Sequence, residues 1–148
     1  MIQLFIEYKK GTLMTHMDML KTHNLKATPQ RLCILEVLKS YGHATLEDIE
    51  KFTKTKFPTL SLSTIYRNLK EMLKKGLISE VKLANKKDYY EIDKNSHAHL
   101  VCTKCGKIED FSINTDEIIS KMQLLTTNKI YNTTISFDTI CKECLSAK

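Results

Sequence analysis

The chain of 148 residues has no tryptophan, four glycines and two prolines. Glycine and proline this sparse exclude a collagen-like or low-complexity fibre and give no sign of disorder. Long hydrophobic runs are also missing: each falls far short of the roughly 20 residues that cross a bilayer, so no membrane partner is expected. The opening Met1-Ile2-Gln3-Leu4-Phe5-Ile6 has neither a basic start nor an apolar core long enough for a secretion signal. A cytoplasmic location is therefore expected, where thiols stay reduced and paired cysteines hold metal, not disulfides. No phosphate loop and no nucleophile elbow occur, which argues against an enzyme and against a small organic substrate. What is present, 42% hydrophobic and 27% charged residues, suits one ordinary domain or two small ones.

The most informative stretch runs from His97 to Phe111, His-Ala-His-Leu-Val-Cys-Thr-Lys-Cys-Gly-Lys-Ile-Glu-Asp-Phe. It holds two alternating histidines, a Cys-x-x-Cys pair followed by glycine, and a carboxylate, Asp110, five residues past the second thiol. A second pair, Cys141 and Cys144, lies near the end of the chain. Cys102, Cys105, Cys141 and Cys144 read as a closed tetrahedral zinc site. The 35 residues between the pairs exceed a knuckle loop and must carry structure of their own. Four sulfurs fill that zinc, so His97 and His99 belong elsewhere. On a strand they share one face, which points to a second, separate metal site.

Charge is unevenly spread. Residues 1–96 carry 17 Lys/Arg against 11 Asp/Glu, while residues 97–148 carry six of each. The whole excess of six positive charges precedes the His-x-His stretch, as expected for an N-terminal half that meets a polyanion.

In chain order, residues 1–12 have no clear period, and Met14 and Met17 are alternative starts. Residues 13–23 read as a short helix with Leu13, Met17 and Leu20 on one face. Thr28-Pro29 is an N-cap with proline at the first helical position. The stripe Leu32, Ile34, Leu35, Leu38 and Tyr41 follows, ending at Gly42. Cys33 on this helix is read as a small buried thiol. Thr45-x-x-Asp48 resembles a capping box for a helix to about Lys56 that buries Leu46, Ile49 and Phe52. Phe57-Pro58 breaks it. Ser61 or Ser63 caps the next helix, with Leu62, Ile65, Leu69 and Met72 or Leu73 inward and Gly76 as the stop.

Two helices joined by a short turn fit a helix-turn-helix. The second leaves Ser63, Thr64, Tyr66, Arg67 and Lys70 for base edges and phosphates; Lys26 and Arg31 are further candidate DNA contacts. Leu77–Leu83 and Asp88–Ile92 read as a hairpin in the place of a wing. Its tip, Ala84-Asn85-Lys86-Lys87, offers Lys86 and Lys87 to phosphate.

Residues 1–93 are expected to form the DNA-binding domain, 94–96 the hinge, and 97–148 a dimerisation and metal-binding domain. In the last, His99–Cys102 and Lys107–Ser112 read as strands. Residues 115–127 read as a helix with Ile118, Ile119, Met122 and Leu125 inward, and Ile130–Ile140 as a third strand. The fold class is thus α+β: a winged helix-turn-helix followed by a small α/β domain with a three-stranded sheet and a four-cysteine zinc site. Exposed sheet edges favour pairing with a second copy.

The stretches Ala-Thr-Pro-Gln-Arg at 27–31, Ser-Leu-Ser-Thr-Ile-Tyr-Arg-Asn-Leu at 61–69, the His97–Phe111 stretch and the last thiol pair together resemble the ferric uptake regulator family of metal-dependent bacterial repressors. The resemblance covers about residues 20–145. It implies a homodimer that binds a double-stranded operator with inverted repeats, and a regulatory Fe²⁺ or Mn²⁺ beside the structural Zn²⁺. It assigns that regulatory site to His43, Glu91, His97, His99 and Asp110, a donor set that suits these harder ions.

Within the family, Asp110 and the phrases around Arg31 and Cys105 resemble the peroxide-sensing branch. There Fe²⁺ and H₂O₂ lead to oxidation of a histidine ligand, here His43 or His97, and repression ends. Glu91 departs from the aspartate typical of that branch. An iron-homeostasis repressor is therefore the alternative, with a zinc-uptake repressor behind it. Ala98 between the histidines, and no histidine after His99, imply that a further metal site found in some members is absent.

Overall fold

The computed structural model describes residues 7–9, 12–83, 86–94, 96–131 and 133–147. The chain divides into two compact units, Met1–Asp93 and Lys94–Lys148. No helix among the described residues is long and apolar enough to cross a membrane.

The first unit opens with a hairpin of β1 (Glu7–Lys9) and β2 (Thr12–Met14), paired antiparallel. Leu13 thus lies in a strand, not on the helix expected from residue 13. That helix, α1 (His16–Thr22), starts only after Thr15, whose hydroxyl accepts from the Asp18 N–H while Asp18 accepts from the Thr15 N–H. This reciprocal cap fixes the helix start more sharply than the apolar spacing does.

α2 (Pro29–Tyr41) begins at the Thr28 cap and ends at Gly42, whose φ of +71° is a conformation that favours glycine. β3 (Ala44–Thr45) leads into α3 (Leu46–Lys56), capped reciprocally by Thr45 and Asp48. α4 (Leu62–Lys74) is capped by Ser61. β4 (Ile78–Val81) and β5 (Tyr89–Ile92) complete the wing, in an antiparallel sheet of order β3-β5-β4. Ala84 and Asn85 of the expected wing tip lie outside the described residues, as does Asn95 of the hinge.

Leu20, Leu35, Leu38, Ile49, Ile65, Leu69, Met72, Leu77 and Ile92 form one buried cluster, with Leu46, Phe52 and Leu73 against it. Cys33 is buried as expected, and burial pushes its thiol pKa up. Leu62 is exposed, contrary to expectation. It is the first residue after the cap, and the buried stripe of α4 starts only at Ile65.

The second unit places β6 (His97–Cys102) between β7 (Ile108–Ser112), antiparallel to it, and β8 (Ser136–Thr139), parallel to it. α5 (Thr115–Leu124) follows β7, and a short α6 (Lys142–Ser146) follows β8. The third strand is shorter than the expected 130–140. Residues 133–135 are irregular, and Asn132 lies outside the described residues. The inward face expected for α5 is not covered by the described residues: Ile118, Met122 and Leu125 are exposed and Ile119 is half-buried. Apolar periodicity reports that a face needs cover, not that the same chain supplies it.

Candidate metal centres and nucleic-acid interface

The four expected zinc ligands converge. The Sγ atoms of Cys102, Cys105, Cys141 and Cys144 all lie within 4.8 Å of one another. Cys105 and Cys141 are 3.7 Å apart, close to the ~3.8 Å edge of a tetrahedron with Zn–S bonds of about 2.3 Å. Cys102 arrives at the end of β6. The Gly106 N–H closes a turn onto the Cys102 carbonyl at 2.9 Å, with φ +78° at the glycine. Cys141 and Cys144 sit before and within α6.

The Cys141 N–H points at Cys102 Sγ, 3.3 Å away. This bond first, then the Cys105 N–H, lowers the Cys102 pKa to about 6. The Cys144 N–H favours the Cys141 thiolate, but burial and the Glu143 carboxylate raise that thiol to about 12. Four thiolates this close repel one another, and a dication bound among them is what lets all four ionise. The donor set fits zinc.

Lys107 ties the two thiol pairs together from outside. Its ammonium meets Glu109, beyond the first pair, at 2.6 Å, and Glu143, within the second, at 3.2 Å. Those carboxylates, Glu109 first, raise the Lys107 pKa. Glu143 is lowered to about 2 by its own N–H, the Cys141 thiol and Lys107, in that order.

A second set of ligand-type side chains lies on β6 and β7. His97 and His99 alternate on β6, and their Nε2 atoms approach to 3.1 Å. The antiparallel register sets Asp110 directly opposite His99. Asp110 Oδ1 is 3.8 Å from His97 Nε2 and 3.9 Å from His99 Nε2. The other oxygen, Oδ2, carries the ammonium of Lys94. Sequence reasoning does not single out Lys94, because its position in the hinge gives no signal. His99 is 4% exposed.

His43 and Glu91 meet within the first unit. β3 follows His43, and Ala44 pairs with Tyr90, so His43 comes beside the next residue of β5, Glu91. Their Nε2 and Oε2 atoms are 3.2 Å apart. Glu91 is 2% exposed, and its Oε1 accepts from the Ser79 hydroxyl at 3.2 Å. Sequence reasoning misses Ser79 as well; the signal lies in the wing register, which pairs Ser79 with Glu91.

On α4, Ile65, Leu69 and Met72 are buried. Ser63, Tyr66, Arg67 and Lys70, spaced i, i+3, i+4 and i+7, form the exposed opposite stripe. Thr64 is half-buried, with its hydroxyl 2.9 Å from Ser61 Oγ. Arg31 is partly committed elsewhere: its Nε donates to Asn68 Oδ1 and its Nη1 to the Lys26 carbonyl, both at 3.1 Å. Lys26 is exposed. Lys87 forms an ion pair with Glu47 at 2.8 Å, and Lys86 is half-buried. The outward stripe on a helix followed by a two-stranded wing is the geometry that enters a major groove.

The model of the ferric uptake regulator family matches residues 22–137. This chain belongs to the ferric uptake regulator family. It is 33% identical over 130 residues to the peroxide operon regulator of Bacillus subtilis, covering 86% of this chain and 90% of that protein. The crystal structure of the Campylobacter jejuni peroxide stress regulator superposes with a TM-score of 0.66 at 36% identity, covering 88% of this chain and all of that one. The Helicobacter pylori ferric uptake regulator, described with three functional metal-binding sites, gives 0.67 at 29% identity over 87% and 88% of the two chains. The winged helix expected from the sequence is the DNA-binding fold of this family, and the four expected cysteines cluster in this chain.

Proposed function

We propose that this protein is a cytoplasmic, homodimeric, metal-dependent repressor that senses peroxide, and that it is a regulator and not an enzyme. The observation that carries this reading is the pair of ligand sets, His43 with Glu91 in one unit and His97, His99 and Asp110 in the other. Three imidazoles and two carboxylates suit Fe²⁺ or Mn²⁺, and Zn²⁺ belongs to Cys102, Cys105, Cys141 and Cys144. The similarity to the Bacillus subtilis and Campylobacter jejuni peroxide regulators supports the choice of signal.

The mechanism follows from where the ligands sit in the chain. His43 and Glu91 belong to the DNA-reading unit, the other three to the second unit, and residues 94–96 join them. Occupancy of these ligands would favour the form of the dimer in which two α4 helices stand at a fixed spacing. That spacing must match half-sites about 34 Å apart. Ser63, Tyr66, Arg67 and Lys70 then face the groove, with Thr64 at its margin. Lys26, Arg31, Lys86 and Lys87 contact phosphates of an inverted-repeat operator. A near-complete switch requires about 10⁴-fold tighter metal binding to the DNA-competent arrangement. Bound Fe²⁺ supplies redox chemistry with H₂O₂, which Mn²⁺ on the same ligands does not. Oxidation of His43 or His97, with one peroxide oxygen added to the imidazole ring and the other leaving as water, would weaken an imidazole donor and lower metal occupancy.

The exposed apolar side chains of the second unit, Phe111, Met122, Leu124, Leu125, Tyr131 and Phe137, are the surface a second copy covers. Glu91, where the peroxide branch typically has aspartate, favours a second reading as an iron-homeostasis repressor, in keeping with the likeness to the Helicobacter pylori protein.

The test is anaerobic binding to the protein's own promoter with Fe²⁺ or Mn²⁺, before and after a peroxide pulse. Loss of binding in the iron form alone, with one oxygen added to the His43 or His97 peptide, is expected. Binding that survives peroxide but tracks free Fe²⁺ selects the iron repressor. Binding indifferent to both metals overturns the switch.

A further inference from the structure

Glu91 is a buried carboxylate, and such a group is costly unless its oxygens find partners. Its two oxygens are treated differently by the wing. Oε2 faces His43 Nε2 at 3.2 Å, and Oε1 accepts a hydrogen bond from Ser79 Oγ at 3.2 Å. Ser79 stands directly across the β4–β5 ladder from Glu91, where cross-strand side chains are about 5 Å apart at Cβ. It is half-buried, and its strand neighbours Ile78 and Glu80 also pair with β5. A neutral hydroxyl donor on one oxygen leaves the full carboxylate charge and fixes the plane of the group.

We infer that Ser79 is a positioning residue of the regulatory metal site: its hydroxyl donates to Oε1, fixes the plane of the carboxylate and so favours presentation of Glu91 to the metal through Oε2, on the side of His43. The inference rests on Glu91 being a regulatory ligand. Outer partners that orient a ligating carboxylate matter for affinity because they remove the freedom the ligand would otherwise lose on binding. An unheld Glu91 can rotate about its last torsion and offer either oxygen, or both, to the cation.

The experiment measures Mn²⁺ affinity of the full zinc-loaded chain by competition with a metal indicator, for the wild type, Ser79→Ala, Ser79→Thr and Glu91→Gln. Zinc content and thermal midpoint are recorded for each. Ser79→Ala is expected to weaken Mn²⁺ binding about 10- to 100-fold, with four thiols still holding zinc. Ser79→Thr keeps the hydroxyl on a strand that tolerates β-branching and is expected to restore affinity to within a few-fold. Wild-type affinity in Ser79→Ala, alongside a large loss in Glu91→Gln, overturns the positioning role while leaving the metal site intact. Equal weakening by Ala and Thr overturns it too, since packing and not the hydroxyl then matters. Unchanged affinity in Glu91→Gln overturns both the inference and the five-ligand reading beneath it.

Discussion

The two units solve the problem of stability in opposite ways. The first buries a continuous cluster from Met19 to Ile92, drawn from every one of its helices and from its sheet. In the second, among the described residues, the buried apolar side chains are Ala98, Val101 and Cys102, while Leu124 is 88% and Tyr131 93% exposed. One unit is held by its own core. The other gathers four thiols into one cluster and leaves large apolar side chains exposed. The contrast suits the proposed division of labour, in which the first unit reads DNA and keeps its shape with or without metal.

Removing the zinc site should separate the two units most sharply. A structural zinc is worth about 10–16 kcal/mol of apparent binding energy in small domains, far more than so sparse a core can replace. Chelation, or Cys141→Ser, is expected to strip amide-exchange protection from residues 97–147 and to leave α2, α3 and α4 protected. Equal loss in both units would show that the first depends on the second. Retained protection in the second would show that its fold does not rest on the thiols.

The next effect is a paired one. Ile65 is fully buried on α4, so Ile65→Ala is expected to cost about 2–5 kcal/mol in denaturant unfolding with no change in association. Leu125, 80% exposed, should behave in reverse. Leu125→Glu is expected to shift the protein from dimer to monomer in sedimentation while altering the unfolding of the first unit by less than about 0.5 kcal/mol. A dimer that survives Leu125→Glu would place the contact elsewhere on this surface.

The same contrast explains what can be read from the sequence. Helix starts are legible because Thr28 and Thr45 name their own caps, and of the two serines offered for α4 the structure uses Ser61; the side chains do accept the expected N–H groups. The inward stripe of α4 is legible from Ile65 onward because its own unit covers it. The stripe of α5 reads as inward and is not, since spacing cannot tell a core from a surface awaiting a partner. Leu13 misleads because a hairpin strand and a helix both tolerate an isolated leucine. The parallel pairing of β6 with β8 is not legible at all, because no local signal reports a partner more than 30 residues away. At the metal centres, alternation brings His97 and His99 to one face and the thiol spacing brings four sulfurs together. Asp110, His43 and Glu91 come from resemblance. Ser79 and Lys94 touch ligands only through the folded register and so escape both routes.

Acid should produce the mildest contrast. Asp18 is held below its ordinary value of 3.8 chiefly by the Thr15 hydroxyl and then by the Thr15 N–H. A carboxyl lowered on folding stabilises the fold above its unfolded pKa, and that contribution fades as pH falls through the folded value. Asp18→Asn keeps the shape of the side chain and removes the charge. The gap in unfolding stability between wild type and Asp18→Asn is expected to be constant from neutral pH to about pH 5 and to shrink below it. The residue is only half-buried, so the gap is small and the loss gradual. The second unit should respond differently, because protons compete with zinc for four thiolates at once. Its exchange protection is expected to collapse over a narrow range while α1 is still intact. A shared, single acid transition in both units would mean that the thiol cluster and the first unit's core are not independent supports.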